Sequence, residues 1–120
     1  MPVSNAEISA IFTQVADLLE ILGGNPFRVR AYRVAARTVS DLARSAAQMV
    51  REGEDLSELP GIGKDLAAKI RQAVERGTVD LLEELRRKMP GELGRLLEVS
   101  GLGPRRVQLL WKQLGITTLK

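Results

Sequence analysis

Two glycine-bracketed corners hold the residue types and spacings with the most chemical meaning: Gly61-Ile62-Gly63 followed by Lys64, and Gly101-Leu102-Gly103 followed by Pro104, Arg105 and Arg106. Each stands directly before an amphipathic segment with helical spacing. Glycine tolerates positive φ and leaves the main chain uncovered, and the apolar residue between the two glycines can plug the gap between flanking helices. The amides at such a corner lie at a helix N-terminus, where unpaired donors and partial positive charge suit a phosphate oxygen. A cation in the first helical turn opposes the helix dipole, which is poor local design unless an anion sits between. An offset of forty residues pairs Leu56 with Leu96, Leu59 with Val99, Ala67 with Val107 and Ile70 with Leu110, along with the glycines themselves. The corners are therefore two copies of one supersecondary unit. A tight helix-to-helix turn with no ligand is the competing reading of either copy alone, and the repeat with a cation each time weighs against it.

The charge distribution points the same way. The net charge of the 120 residues is only +3. Between Pro26 and Arg51, however, Arg28, Arg30, Arg33, Arg37, Arg44 and Arg51 face a single acid, Asp41, while residues 1 to 25 and 52 to 60 carry acids alone. Such segregation predicts a basic surface for a polyanion, against the plainer reading of a solvated arginine face. Arg30, Arg37, Arg44 and Arg51 would form one stripe on an unbroken helix. Ser40 and Asp41 could instead cap a new helix and split that stripe.

The composition excludes other classes. With no cysteine and no histidine, disulfides, thiol or histidine nucleophiles and the usual zinc sites are ruled out. The N-terminus lacks a signal-peptide pattern and no apolar run reaches the roughly 18 residues of a membrane span. The expectation is a cytoplasmic, nucleoid-associated monomer with no membrane contact.

The elements that must position these residues read as helices throughout, an all-α small bundle. Ser4 and Glu7 form a capping box for a core helix running through Ile8, Ile11, Phe12, Val15, Leu18, Leu19 and Leu22 to Gly23 and Gly24. Asn25 and Pro26 supply the cap and first turn of the next, which offers Val34, Ala35, Thr38, Val39 and Leu42 inward. Met49 and Val50 continue it or its successor to Gly53. Asp55 and Glu58 cap a very short helix, the first corner follows, and the helix after it ends at Gly77. Thr78 opens another through Leu81, Leu82 and Leu85, closed by Pro90. The remainder is a short helix over 92–97, the second corner, and a helix from Pro104 to Leu114, with Trp111 as packing. No strand pattern of useful length occurs.

Taken together, LPGIGKDLAAKI and VSGLGPRRVQLL resemble paired helix-hairpin-helix motifs. With NPFRVRAYRVAARTV upstream, they closely resemble the start of bacterial family X DNA polymerases. The resemblance covers nearly the whole chain. It implies a lyase-like small domain over residues 1–88, with the first hairpin at 56–76, that holds the downstream side of a DNA gap. Residues 89–120, with the second hairpin at 92–114, would begin the fingers region on the primer side. The catalytic metal-binding carboxylates of the family's palm domain have no counterpart here, so Mg²⁺ or Mn²⁺ would belong to the full-length polymerase. Asp80, Glu83 and Glu84 read instead as surface partners of Arg86, Arg87 and Lys88. The chain thus reads as a DNA-binding fragment of a repair polymerase, serving base excision repair.

In animal members of the family a lysine after the first hairpin forms a Schiff base with the sugar at an abasic site. Lys69 matches it, as Arg28 and Tyr32 match positions lining the 5′-phosphate site, and Phe27 stands where a stacking histidine would be. Asp65 and Ser57 replace two cations of that site. Asp65 lies on the same helical face as Lys69 and favours its charged form, whereas imine chemistry needs a neutral amine. Lys69 reads alternatively as a phosphate contact or a surface ion pair with Asp65, and Phe27 and Tyr32 alternatively as core. The resemblance also implies Na⁺ or K⁺ held by the carbonyls of Ser57, Leu59 and Ile62, and of Leu97, Val99 and Leu102. Three function classes follow: a module gripping gapped, nicked or 5′-phosphorylated DNA through Phe27, Arg28, Arg30, Tyr32, Arg33, Gly61, Gly63, Lys64, Lys69, Gly101, Gly103, Arg105 and Arg106; a deoxyribose phosphate lyase; or a helical protein-interaction domain.

Overall fold

The computed structural model of the chain describes residues 3–88. The second corner, with Gly101, Gly103, Arg105, Arg106 and the carbonyls of Leu97, Val99 and Leu102, lies outside the described residues, as do Pro90 and Trp111. Among the described residues every regular element is helical: α1 (Asn5–Ile21), α2 (Pro26–Ser40), α3 (Ala46–Arg51), a 3₁₀ turn (Leu56–Glu58), α4 (Lys64–Arg76) and α5 (Asp80–Lys88).

Local chemistry sets most of the boundaries. The Ser4–Glu7 capping box closes in both directions at the start of α1. Asn25 accepts from the Phe27 amide at 2.8 Å and Pro26 takes the first turn of α2. Ser45, not Ser40 or Asp41, caps α3: the chain leaves α2 at Ser40 and re-enters helix at Ala46. The stripe of Arg30, Arg37, Arg44 and Arg51 is therefore split, with Arg44 in the connection, where it pairs with Glu52 and Glu54. Asp55 caps the 3₁₀ turn by accepting from the Ser57 amide at 3.0 Å. Gly77 ends α4 at φ 76°.

The core is one apolar cluster built mainly on α1 and α2 and closed by α4 and α5. Ile8, Phe12, Val15, Tyr32, Val39, Leu56, Ile70 and Val79 are among its fully buried members. Phe12 and Tyr32 meet edge to face, with ring centres 5.9 Å apart at 71°. Such a pair adds about 0.5–1.5 kcal/mol beyond the area it buries. The inward face of α2 differs from the sequence expectation. Val29, Tyr32, Ala35, Ala36 and Val39 point to the core, whereas Val34 is 41% exposed and Thr38 faces the hairpin. Two turns at the helix ends hold the bundle together through side chains. Asn5 donates to the Arg44 carbonyl at 2.7 Å and accepts from the Ala46 amide at 2.8 Å, tying the start of α1 to the α2–α3 connection. Gln72 accepts from the Asp80 amide at 2.9 Å and so fixes α5 against α4.

Candidate functional site

The first corner connects the 3₁₀ turn to α4, and its two glycines do different work. Gly61 sits at φ 75°, the left-handed region that L side chains rarely adopt, and a Cβ there would stand 2.6 Å from Cγ1 of Val34. The backbone therefore presses directly onto α2. Thr38 reinforces the contact by donating to the Pro60 carbonyl at 2.8 Å. Between the glycines Ile62 is 3% exposed and acts as the plug, its amide donating to the Leu59 carbonyl at 3.0 Å. Gly63 has an ordinary extended backbone, φ −90° and ψ −173°, and a Cβ there would meet nothing within 4 Å. Its requirement is space in front of the helix and not conformational freedom.

Gly63 is also the N-cap of α4, and no side chain caps the helix. Among the described residues the amides of Gly61, Gly63, Lys64 and Asp65 donate to no protein acceptor. Lys64 is exposed in the first turn. The acceptor-free amides of Gly63, Lys64 and Asp65, all exposed residues, and the Lys64 cation thus gather at the positive end of a 13-residue helix, an arrangement that suits an anion. Lys64 and Arg71 also reach electrostatically to Asp55, whose carboxyl is held below its usual value mainly by the Ser57 hydroxyl and amide.

One helical turn on, Lys69 and Tyr32 come together from α4 and α2. The Tyr32 side chain is 2% exposed, and its hydroxyl has no hydrogen-bond partner among the described residues. Burial pushes the phenol pKa up, while the charges of Lys69 and then Arg28 pull it back. The Lys69 ammonium therefore lies close to the phenol, at the edge of hydrogen-bonding reach. It is occupied by Asp65, with Nζ 3.1 Å from Oδ1. The Lys69 side chain is only 20% exposed and that of Asp65 is 79% exposed, so the lysine stands inside and the carboxylate outside. Tyr32 is a core residue: its ring packs in the cluster and its oxygen lies beneath the surface within the influence of Lys69 and Arg28.

The structure separates the other residues expected at the site. Phe27, 83% exposed in the first turn of α2, is not core. Among the described residues no carboxylate lies within salt-bridge distance of Arg28, Arg30 or Arg37. Arg33 differs, since it bridges Asp17 at 3.0 Å and Glu20 at 2.7 Å on α1. Burial acts to lower the Arg33 pKa, but the bonds to Glu20 and Asp17 outweigh it and the net direction is up. Asp17 is raised, chiefly by burial, with Arg33 offsetting part of the rise. Arg33 thus serves the α1–α2 contact. Of the acids read as surface partners, Glu84 pairs with Lys88 at 3.6 Å, whereas Asp80 and Glu83 turn to Arg76 of α4. Arg86 instead donates to Gln14 at 2.8 Å. Sequence reasoning missed Val34 and Thr38 as the seat of Gly61, and no signal within the chain's own pattern identifies that contact.

The described residues hold no cluster of three or more His, Cys, Asp or Glu side chains able to bind a metal. No described helix is long and apolar enough to cross a membrane.

Comparison with known proteins agrees with this geometry. A helix-hairpin-helix domain family model matches residues 3–79. Over 110 residues the chain is 34% identical to the N-terminal part of a protein named DNA polymerase/3′-5′ exonuclease PolX from Bacillus subtilis (strain 168), a family X polymerase. That alignment takes in 92% of this chain and 19% of the relative, so the chain spans about a fifth of the relative's length. The open glycine corner before α4 is the feature that the matched family is named for, and the chain belongs to the helix-hairpin-helix domain family.

Proposed function

We propose that this chain is a DNA-binding module that grips the sugar-phosphate backbone at a gap or nick, with a site for a terminal 5′-phosphate, in the service of polymerase chemistry of the kind the Bacillus relative's name describes. The observation that carries the reading is the uncapped start of α4, where the amides of Gly63, Lys64 and Asp65 have no protein acceptor and the space before Gly63 is open. Amides at a helix N-terminus bind phosphate oxygens irrespective of base, so the module reads backbone geometry with little sequence preference. Arg28 and Lys69 supply charge for a terminal phosphate, and the Tyr32 hydroxyl beside them, sealed from solvent in the DNA-free protein, would donate to it only after local rearrangement. Phe27 offers an exposed ring on which an unpaired base can stack. Arg30 and Arg37 extend the basic surface along α2. Arg33 is left out of this set because Asp17 and Glu20 occupy it.

A monovalent cation at the first hairpin belongs to the same proposal. Among the described residues the Ser57 and Ile62 carbonyls accept no hydrogen bond, and the Leu59 carbonyl accepts one, so all three retain lone pairs for Na⁺ or K⁺. Such an ion would add positive charge beside the bound backbone. The second hairpin would act alike on the other side of the gap through Gly101, Gly103, Arg105 and Arg106.

The test is a titration of duplexes carrying a one-nucleotide gap with a 5′-phosphate or a 5′-hydroxyl, alongside intact duplex. The expected result is preference for the phosphorylated gap and a log–log salt slope near about −3.6, for roughly four neutralised phosphates. Salt-insensitive binding or no preference for the gap refutes it. Negligible DNA affinity, with partner binding disturbed by Gly63→Val, would favour a protein-interaction domain.

A second reading, lyase chemistry at Lys69, draws on the seclusion of that side chain beside the phenol. The neutral amine would attack the aldehyde carbon of the abasic sugar and expel water to give an imine. Transfer of a C2′ proton to water then breaks the C3′–O bond, the oxygen leaving on the phosphate of the downstream strand, and water hydrolyses the imine to free the sugar and the amine. Borohydride reduction of abasic DNA with the wild-type chain should trap an adduct that Lys69→Ala does not form, and absence of the adduct removes this reading alone.

A further inference from the structure

We infer that Asp65 is an internal competitor for the terminal phosphate, a carboxylate that already occupies the Lys69 ammonium in the DNA-free protein and thereby sets how strongly a 5′-phosphate is preferred over a 5′-hydroxyl. The inference rests on the phosphate-site reading above and names the residue that tunes it. Asp65 stands in the first turn of α4, where the helix dipole and the acceptor-free amides favour any anion. Its Oδ1 is 3.1 Å from Lys69 Nζ, and its field reaches the buried Tyr32 phenol alongside those of Lys69 and Arg28. The donors that would hold a phosphate therefore already face a negative charge supplied by the protein.

The exposures say which partner moves. Lys69 is four-fifths buried and stays in place, whereas Asp65 is 79% exposed and can rotate into solvent. A phosphate approaching Lys69 meets two costs: the existing bond must be broken or shared, and a second anion must be brought beside the first. A phosphate at Lys64 or the Gly63 amide leaves the Asp65–Lys69 bond in place and so meets only the second of these costs. Asp65 therefore acts on the end group more than on overall affinity, and it is a specificity-determining residue with no direct bond to DNA required.

The experiment uses the full chain and the two gapped duplexes, reading the ratio of their affinities by fluorescence anisotropy. Asp65→Asn removes the charge and keeps the shape. Relief of an ion pair that lies between an exposed helix pair and a charge-assisted hydrogen bond should raise the phosphate-to-hydroxyl ratio by about twofold to tenfold. Asp65→Glu keeps the carboxylate and should leave the ratio at the wild-type value. Lys69→Ala should collapse the ratio toward one in either background. If Asp65→Asn leaves the ratio unchanged while Lys69→Ala lowers it, the competitor role is wrong and the phosphate site stands. An equal gain on both duplexes also overturns it, because the carboxylate then acts as general surface charge. If Lys69→Ala leaves the ratio unchanged too, the phosphate site fails and the competitor role fails with it.

Discussion

Tyr32→Phe should make the protein more stable and worse at recognising a terminal phosphate. The substitution removes one oxygen and leaves the ring, so the edge-to-face contact with Phe12 at 5.9 Å survives. What disappears is a hydroxyl buried without a hydrogen-bond partner among the described residues. Such a group costs about 1–3 kcal/mol relative to its hydrated state. Recovering even about 1 kcal/mol would raise the melting temperature of a domain this small by roughly 4–8 °C. The binding side has the opposite sign. A hydrogen bond to a charged phosphate contributes about 1.5–3 kcal/mol, so its loss should lower affinity for the 5′-phosphorylated gap by roughly tenfold or more. The 5′-hydroxyl gap should change little. Thermal melts followed by circular dichroism give the first quantity and anisotropy titrations with the two gapped duplexes give the second. A variant that melts below wild type would mean the oxygen is satisfied within the fold, and the reasoning about an orphaned phenol would be wrong. A variant that melts higher yet still discriminates the phosphate would remove the hydroxyl from the binding site.

The two glycines of the first corner should respond unequally. Gly61→Ala combines a left-handed backbone with a 2.6 Å approach to Val34 and should cost about 2–4 kcal/mol by urea unfolding, partly recovered by Val34→Ala. Gly63→Ala meets nothing within 4 Å, but it trades a favoured N-cap residue for an unfavoured one against a gain in backbone entropy, so stability should change by less than about 1 kcal/mol while the added methyl weakens DNA binding. Phe27→Ala should leave the melting temperature unchanged, given 83% exposure, yet lose about 1–3 kcal/mol of binding wherever an unpaired base is presented. Stability should fall on acidification. Glu54, Asp55 and Asp80 titrate below their ordinary 4.5 and 3.8, held there chiefly by Arg44, Ser57 and Arg76. Their stabilisation is complete above those ordinary values and is lost as pH drops through the lower folded ones. Asp17, raised by burial, works in the reverse direction, since its protonation on acidification relieves a cost. The three lowered carboxyls predict a melting temperature that declines from below pH 4.5, where Glu54 begins to lose its share, and more steeply below 3.8, and Asp80→Asn should make the decline shallower.

The caps and stops were legible in the sequence because they act within four residues of chain. Ser4 with Glu7, Asn25 with Pro26, Asp55, Gly53 and Gly77 all fall where their types place them. The buried face of α2 was only half legible. Arg30, Arg33 and Arg37 share one side by helical spacing and place Val29 and Tyr32 opposite, but Arg28 interrupts that apolar side in the first turn, and Val34 was turned inward instead. The split of the arginine stripe was one of two readings left open, an unbroken helix or a new cap at Ser40 and Asp41; the helix does break there, with the new cap five residues later at Ser45. At the candidate site the Asp65–Lys69 pair was readable from its one-turn spacing. The pairing of Arg33 with α1 and the isolation of the Tyr32 oxygen were not, since both arise from packing between distant segments. The same holds for the 2.6 Å approach behind Gly61.

That approach makes the glycine corner a poor candidate for transplantation. Residues 59–70 grafted into another helical scaffold would bring Gly61 and Ile62 but not the valine and threonine on which they rest. A bulkier side chain at the equivalent of position 34 would push the corner off its perch and swing the start of the following helix away from any ligand. Successful chimeras should therefore carry a stretch of α2 along with the loop, and the smallest portable unit is two helices and their keyed contact.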